Sequence, residues 1–244
     1  MAVAHRAVDA NRQQQGQTLP ATRTAGVCMH LTSLPGNYGI GEIGAEARRF
    51  VDALRRMELG VWQFLPTGPT AYGDSPYQPL SSFAGNEMLI DVASLAALGL
   101  LQDDEISALE SLPTDTVDYG ALIPVKNRLL HIAAGRFADV ADNELKGQYE
   151  AFVEKNDAQW LHDYALFRIL KSRHDERPWP EWEEHFVHRD QTAMAQLETL
   201  VVDEIELLKV IQFLFHYQWR EFRDYANTNG IKLFGDMPIY IALD

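Results

Sequence analysis

The spacing of apolar positions changes several times along the chain, and each change marks an element. Val27, Cys28, Met29, His30 and Leu31 form a short, mostly apolar run that Ser33, Pro35 and Gly36 bring to an end. An unbroken run of this length reads as a strand buried on both faces. A helical period follows in GAEARRFVDALRRMELG. Phe50, Leu54 and Met57 recur there at i, i+4 and i+7, Arg48, Arg55 and Arg56 fall largely off that stripe, and Gly60 closes the segment. VWQFLPTGPT is a second short strand, cut by Pro66 and Gly68. Strand, helix and strand in succession predict a βαβ unit with a right-handed crossover.

From Met88 to about Gly230 the pattern is helical. MLIDVASLAALGLL gives a short helix, and DYGALIPVKNRLLHIAAGRFADV gives one expected to start near Pro124. DAQWLHDYALFRILKSRH sets Trp160, Tyr164 and Phe167 on one face and ends in basic residues, which suit a helix C-terminus. The Pro- and Trp-rich RPWPEWEEHF reads as a connection. The clearest helix is DEIELLKVIQFLFHYQWREFRDYANTNG, with Leu208, Ile211, Phe215 and Phe222 as its stripe, Asp203 as expected N-cap and Asn229-Gly230 as its stop. IKLFGDMPIYIALD then predicts a third strand. The expected organisation is a tail over 1–24, a first βαβ unit with a long loop over 25–87, a helical insertion with the helix after it over 88–230, and the third strand over 231–244. Three strands do not close a barrel, since an eight-stranded one takes roughly 250 residues without insertions.

Composition narrows the partners. The chain has 244 residues and a formal net charge of −14. An acidic surface repels phosphate backbones and anionic lipid, so neither nucleic acid nor membrane is expected and a neutral ligand is easier to accept. Cys28 is the single cysteine, which rules out an intrachain disulfide and points to a reducing compartment. The first residues lack the apolar core of a signal peptide, and no apolar run approaches the ~18 residues of a membrane span. A cytoplasmic protein is expected.

Chemistry-bearing residues gather in the loop after the second strand, at the strand edge where parallel α/β proteins assemble their sites. TAYGDSPYQ holds Tyr72, Asp74, Ser75, Tyr77 and Gln78 around a glycine and a proline. Two readings stand. Asp74 and Ser75 before Pro76 can bond their own backbone as a turn. Alternatively, tyrosine rings cover the C–H faces of a sugar while Asp, Ser and Gln meet its hydroxyls. Asp236, at the end of the third strand beside Pro238, is either a functional carboxylate or a loop residue, and Asp244 reads as a cap or loop residue. His30 is expected in the core or behind a site, and Cys28 as a small buried residue. Trp179 and Trp182 read as loop anchors or, alternatively, a sugar platform. No metal-ligand spacing, phosphate loop, GxSxG or Cys/His nucleophile pattern is present. Glycosidic chemistry by two carboxylates remains the natural enzymatic possibility.

Five segments carry a resemblance. GVCMHLTSLPGNYGIGEIG, VWQFLPTGPTAYGDSPYQPLSSFAGN, VDYGALIPVK, WLHDYALF and IKLFGDMPIYIALD resemble 4-α-glucanotransferases (amylomaltases, or disproportionating enzymes) in order and spacing from about Ala25 to Asp244. The resemblance implies an α-amylase-type (β/α)8 barrel, of which this chain would hold the first three strands. It implies transfer of α-1,4-glucan segments between maltooligosaccharides with retention, through a covalent glucosyl-enzyme and without cofactor. Ser75 and Tyr77 match positions lining the donor groove, Tyr72 a secondary glucan-binding surface, and Asp236 a substrate-contacting Asp after strand three. The family's catalytic Asp, Glu and second Asp follow strands four, five and seven, beyond residue 244. The chain is thus expected to be the N-terminal part of such an enzyme, inactive alone, with no catalytic residue of its own. The alternatives are a non-catalytic glucan-binding protein and a structural half that needs a separate C-terminal chain.

Overall fold

The computed structural model describes residues 23–238. Three short strands, β1 (Gly26–Cys28), β2 (Val61–Gln63) and β3 (Lys232–Phe234), form a parallel sheet in the order β1-β2-β3. The register sets Val27 beside Trp62 and Trp62 beside Leu233. Trp62, on the central strand, has no exposed surface; its Nε1–H donates to the Met29 carbonyl at 2.8 Å, and Phe50 and Phe222 pack edge-on against its ring. Pairing continues one step beyond the strands, since the Phe64 N–H donates to the Phe234 carbonyl at 3.1 Å. The described part of the third-strand segment thus leaves the sheet after Phe234; residues 239–244, and residues 1–22 of the predicted tail, lie outside the described residues.

Helix α1 (Ala45–Arg56) links β1 to β2 and buries Ala47, Val51 and Leu54. Phe50 is only partly buried, and Met57, expected on the core stripe, is 56% exposed. Met57 is the C-cap, so the helical period no longer governs its direction. The helix closes on Glu58 rather than Gly60: Glu58 takes φ 57°, its N–H reaches the Arg55 carbonyl, and the Leu59 N–H reaches the Leu54 carbonyl. That is a Schellman closure with a non-glycine residue in the left-handed position.

Between β2 and β3 the chain is helical. It runs through α2 (Val92–Ala97), α3 (Tyr119–Val140), α4 (Asn143–Asn156), a π-helical turn (Asp157–Leu161), α5 (His162–Arg173), α6 (Gln191–Leu200) and α7 (Val202–Thr228). Asp118 caps α3 by accepting from the Ala121 N–H at 3.0 Å, so α3 starts a turn before Pro124, which lies inside it. The N-cap of α7 is Val201, with Asp203 already inside the first turn. Helix α7 is the spine of the molecule. Phe222 and Ala226 face the core beneath the sheet, while Phe213 meets Phe137 of α3 and Phe152 of α4. Contact on several sides explains why Val210 to Phe215 is buried without interruption. A second apolar cluster joins Leu166 and Leu170 of α5, Leu197 of α6, Ile205 of α7 and Trp182. Trp182 is thus an anchor: it is buried, stacks on His174 and donates to the Arg177 carbonyl. β1, read as buried on both faces, is largely exposed, and so is Cys28; within the described sheet β1 pairs on one side only.

Candidate functional site

The chain leaves β2 through Phe64 and Pro66 into the 67–86 loop, which is tied off where the Asn86 N–H donates to the Thr67 carbonyl at 2.8 Å. Inside, Thr70 and Pro79 form an isolated antiparallel bridge, flanked by bonds from the Leu80 N–H to Pro69 (2.8 Å) and from the Ala71 N–H to Gln78 (3.2 Å). The tip is a single 3-10 turn, Tyr72–Asp74, in which Gly73 (φ 74°) and Asp74 (φ 54°) take the left-handed conformation. Asp tolerates that region better than most side chains. The turn reading holds for the backbone: the Gln78 N–H donates to the Ser75 carbonyl at 3.1 Å, and the Ser75 Oγ accepts a long bond, 3.4 Å, from the Tyr77 N–H.

This turn sends Tyr77 toward β3. The Tyr77 hydroxyl donates to Asp236 Oδ2 at 2.8 Å, and Oδ1 accepts from the Met237 N–H at 2.8 Å. The bond to Asp236 raises the Tyr77 phenol above its usual range and keeps it a donor. The structure therefore joins two of the sequence-derived candidates directly and gives Ser75 the supporting turn. Asp74 takes no part in that bond: its own carboxyl is raised by partial burial, and its charge adds to the burial that raises the Tyr119 phenol. Tyr72 contributes its backbone to the turn.

Asp236 borders a groove of about 650 Å³, whose walls include Pro66, Leu80, Phe83, Phe215 and Trp219. That volume falls within the range of about 300–1,000 Å³ typical of ligand sites, and the mix of apolar walls with a few polar groups is typical too. The return limb of the loop is fastened to α7. The Gln212 side chain accepts from the Gly85 N–H (2.9 Å) and donates to the Gly85 carbonyl (3.0 Å), and Gln218 does the same to Asp91 at 2.7 and 3.0 Å. Both glutamines are buried, and Gly85 lies so close to Phe215 that a Cβ there would come within 1.9 Å of the ring. Neither glutamine figured among the sequence candidates. Their signal was a pair of amides inside the apolar KVIQFLFHYQ stretch, where an amide needs a buried partner.

His216 also lies on the groove wall, but burial pushes its pKa down to about 4, with the Lys155 charge adding to the effect, and Nε2 is a buried atom without a partner. Its ring is thereby held neutral, with Nε2 out of solvent. His30, beside β1, is likewise lowered by burial. Among the described residues no group of three or more His, Cys, Asp or Glu is placed to hold a metal ion, and no helix is long and apolar enough to cross a membrane.

Residues 29–244 match the family model described as 4-alpha-glucanotransferase. The 4-alpha-glucanotransferase of Thermus thermophilus is 40% identical over 222 residues, covering 91% of this chain and 43% of the relative. The Streptococcus pneumoniae enzyme of the same name is 38% identical over 224 residues, covering 91% and 44%. The solved amylomaltase of Streptococcus agalactiae in complex with acarbose superposes with a TM-score of 0.84 at 34% identity, over 91% of this chain and 45% of that one. The chain therefore spans somewhat less than half the length of the relatives it matches.

Proposed function

The chain belongs to the 4-alpha-glucanotransferase family, and from that premise we propose that the protein it comes from moves α-1,4-glucan segments between maltooligosaccharides. The observation that carries the reading is the Tyr77–Asp236 bond at the rim of the groove. It unites the loop after β2 with the segment after β3, at the edge of a parallel sheet where such sites are built.

In this reading the three strands are the first three of a (β/α)8 barrel and the helices between β2 and β3 include an insertion. A carboxylate has about four lone-pair sites. Tyr77 and the Met237 N–H occupy one on each oxygen of Asp236, so both oxygens keep capacity for sugar hydroxyls. The Tyr77 ring offers an apolar face to a pyranose and Ser75 holds the turn beneath it. Tyr72 would serve a secondary glucan-binding surface, and Asp74 would meet sugar hydroxyls. Retention by double displacement needs two carboxylates roughly 5–5.5 Å apart. The resemblance assigns those to later strands, so the 244-residue stretch alone is expected to be inactive. The excess of negative charge suits a neutral glucan and disfavours a polyanion.

The test is incubation of the product of the complete gene with maltotriose. Glucose together with longer glucans is the expected result, and acarbose is expected to inhibit. A product that binds maltooligosaccharides but releases no glucose would overturn transfer in favour of a glucan-binding protein. Disproportionation by the 244-residue stretch alone would overturn the placement of the catalytic carboxylates beyond it.

A further inference from the structure

Phe83 lies on the groove wall but takes no part in the Tyr77–Asp236 contact. Its side chain is 61% exposed, yet the backbone around it is firmly held. Ser81 Oγ accepts from the Phe83 and Ala84 N–H groups, both at 3.1 Å, and Gln212 grips Gly85 just beyond. Trp160 lies next to the ring in an offset arrangement, nearly parallel at 18° with the centroids 6.3 Å apart. Trp160 is only 8% exposed, donates from Nε1 to Asn156 Oδ1 at 3.0 Å, and is braced by Phe152 and His216. It stands on the π-helical turn Asp157–Leu161, where the His162 N–H reaches back five residues to the Asp157 carbonyl. Such a turn costs helix regularity, re-aims the side chains it carries and is frequent at functional sites. Here it presents Trp160 to the loop.

The result is a largely exposed aromatic ring on a firmly held backbone, aligned with a neighbouring buried indole, in the same groove wall as Asp236. A flat apolar ring held in one orientation matches the C–H face of a pyranose, and it loses little conformational freedom on binding. We infer that the free face of Phe83 carries a glucose ring of the bound glucan beyond the units nearest Asp236, and that Phe83 thereby sets chain-length preference. This rests on the glucan-transfer reading, since continuity with that groove identifies the occupant.

The experiment measures kcat/KM on maltooligosaccharides from maltotriose to maltoheptaose for the complete gene product, for Phe83→Ala and for Phe83→Tyr, with thermal midpoints alongside. For Phe83→Ala the expected loss is small with the shortest donor and grows to about five- to ten-fold with the longest. Phe83→Tyr, which keeps the ring, is expected to stay close to wild type at every length. A loss of equal size at all lengths, or none at any, overturns the inference. A lowered midpoint with unchanged kinetics also overturns it and makes Phe83 a packing residue. If the wild-type protein itself fails to disproportionate, the transfer reading falls and this inference falls with it, an outcome distinct from a silent Phe83→Ala.

Discussion

At the scale of single residues, the candidate site is tied together by one bond between two side chains far apart in sequence. Tyr77 and Asp236 each stood out beside a proline in a loop, but the contact between them depended on where β3 lies in the sheet, which periodicity does not encode. Asp74 shows the opposite case. Its residue type suggested sugar hydroxyls, while the left-handed turn that holds it and the burial that raises its carboxyl come from the fold and not from residue type. Tyr77→Phe removes the donor to Asp236 and keeps the ring; Tyr77→Ala removes both. For the complete gene product, kcat/KM on maltotriose is expected to fall several-fold for Tyr77→Phe and by at least about ten-fold for Tyr77→Ala, since a hydrogen bond to a charged group outweighs a neutral one. The thermal midpoint should barely move, because the bond is exposed. A collapsed midpoint with intact kinetics would assign Tyr77 a structural role instead.

At the scale of elements, buried polar groups fasten the helices to the loops. The Gln212 clamp fixes the return limb of the loop on α7, and the Gln218 clamp fixes Asp91, the N-cap of α2, on the same helix. In α3, fully buried Lys126 donates to the Met88 carbonyl at 2.7 Å and pairs with buried Glu42, which precedes α1. Such partners were invisible in the sequence, because an amphipathic stripe reports which face is apolar and not which polar group crosses it. Lys126 sits in a helix interior where its charge reads as solvated, and only the fold shows its partners. Burial raises the Glu42 carboxyl to about 8 despite Lys126, with the Asp91 charge adding to the rise. The unfolded chain releases that proton near 4.5 and the folded chain near 8, so the folded state holds more protons between these values. Stability is then expected to fall as pH rises from about 5 to 8, by an amount on the order of a few kcal/mol at most. Glu42→Gln should flatten this slope. Urea melts at several pH values on both proteins would check it, and equal slopes would show that Glu42 does not titrate in that window.

At the scale of the whole molecule, much of the architecture was legible. The three strand positions, the helical stretch between the second and third, and the loop carrying the groove follow from runs, periods and punctuating Pro and Gly. Burial of the strands was less legible, because an apolar run signals a strand that needs cover without saying what provides it. Cys28 is exposed, Phe234 is 43% exposed and Met237 is 78% exposed. β1 and β3 each offer one unpaired edge within the described sheet, and such edges template pairing with other chains. Full burial of one large apolar side chain is worth about 1.5–3 kcal/mol. Total domain stability is only about 5–15 kcal/mol, so a few uncovered positions are a large fraction of it. Residues 1–244 expressed alone are therefore expected to self-associate or to lack a fixed sheet. Far-ultraviolet circular dichroism should still show the helices, because the Leu166 cluster is made by helices and the loop that carries Trp182, and much of the core around Phe213 is made by α3 and α7. Light scattering and a urea melt decide the matter. A monodisperse monomer with one cooperative transition would mean that the edges and exposed rings are tolerated, which is the behaviour of an independently folded binding domain. If the stretch does associate, co-expression with the remainder of the family fold should restore solubility, because on the barrel reading proposed above parallel strands would lie along β1 and β3 and remove both edges at once.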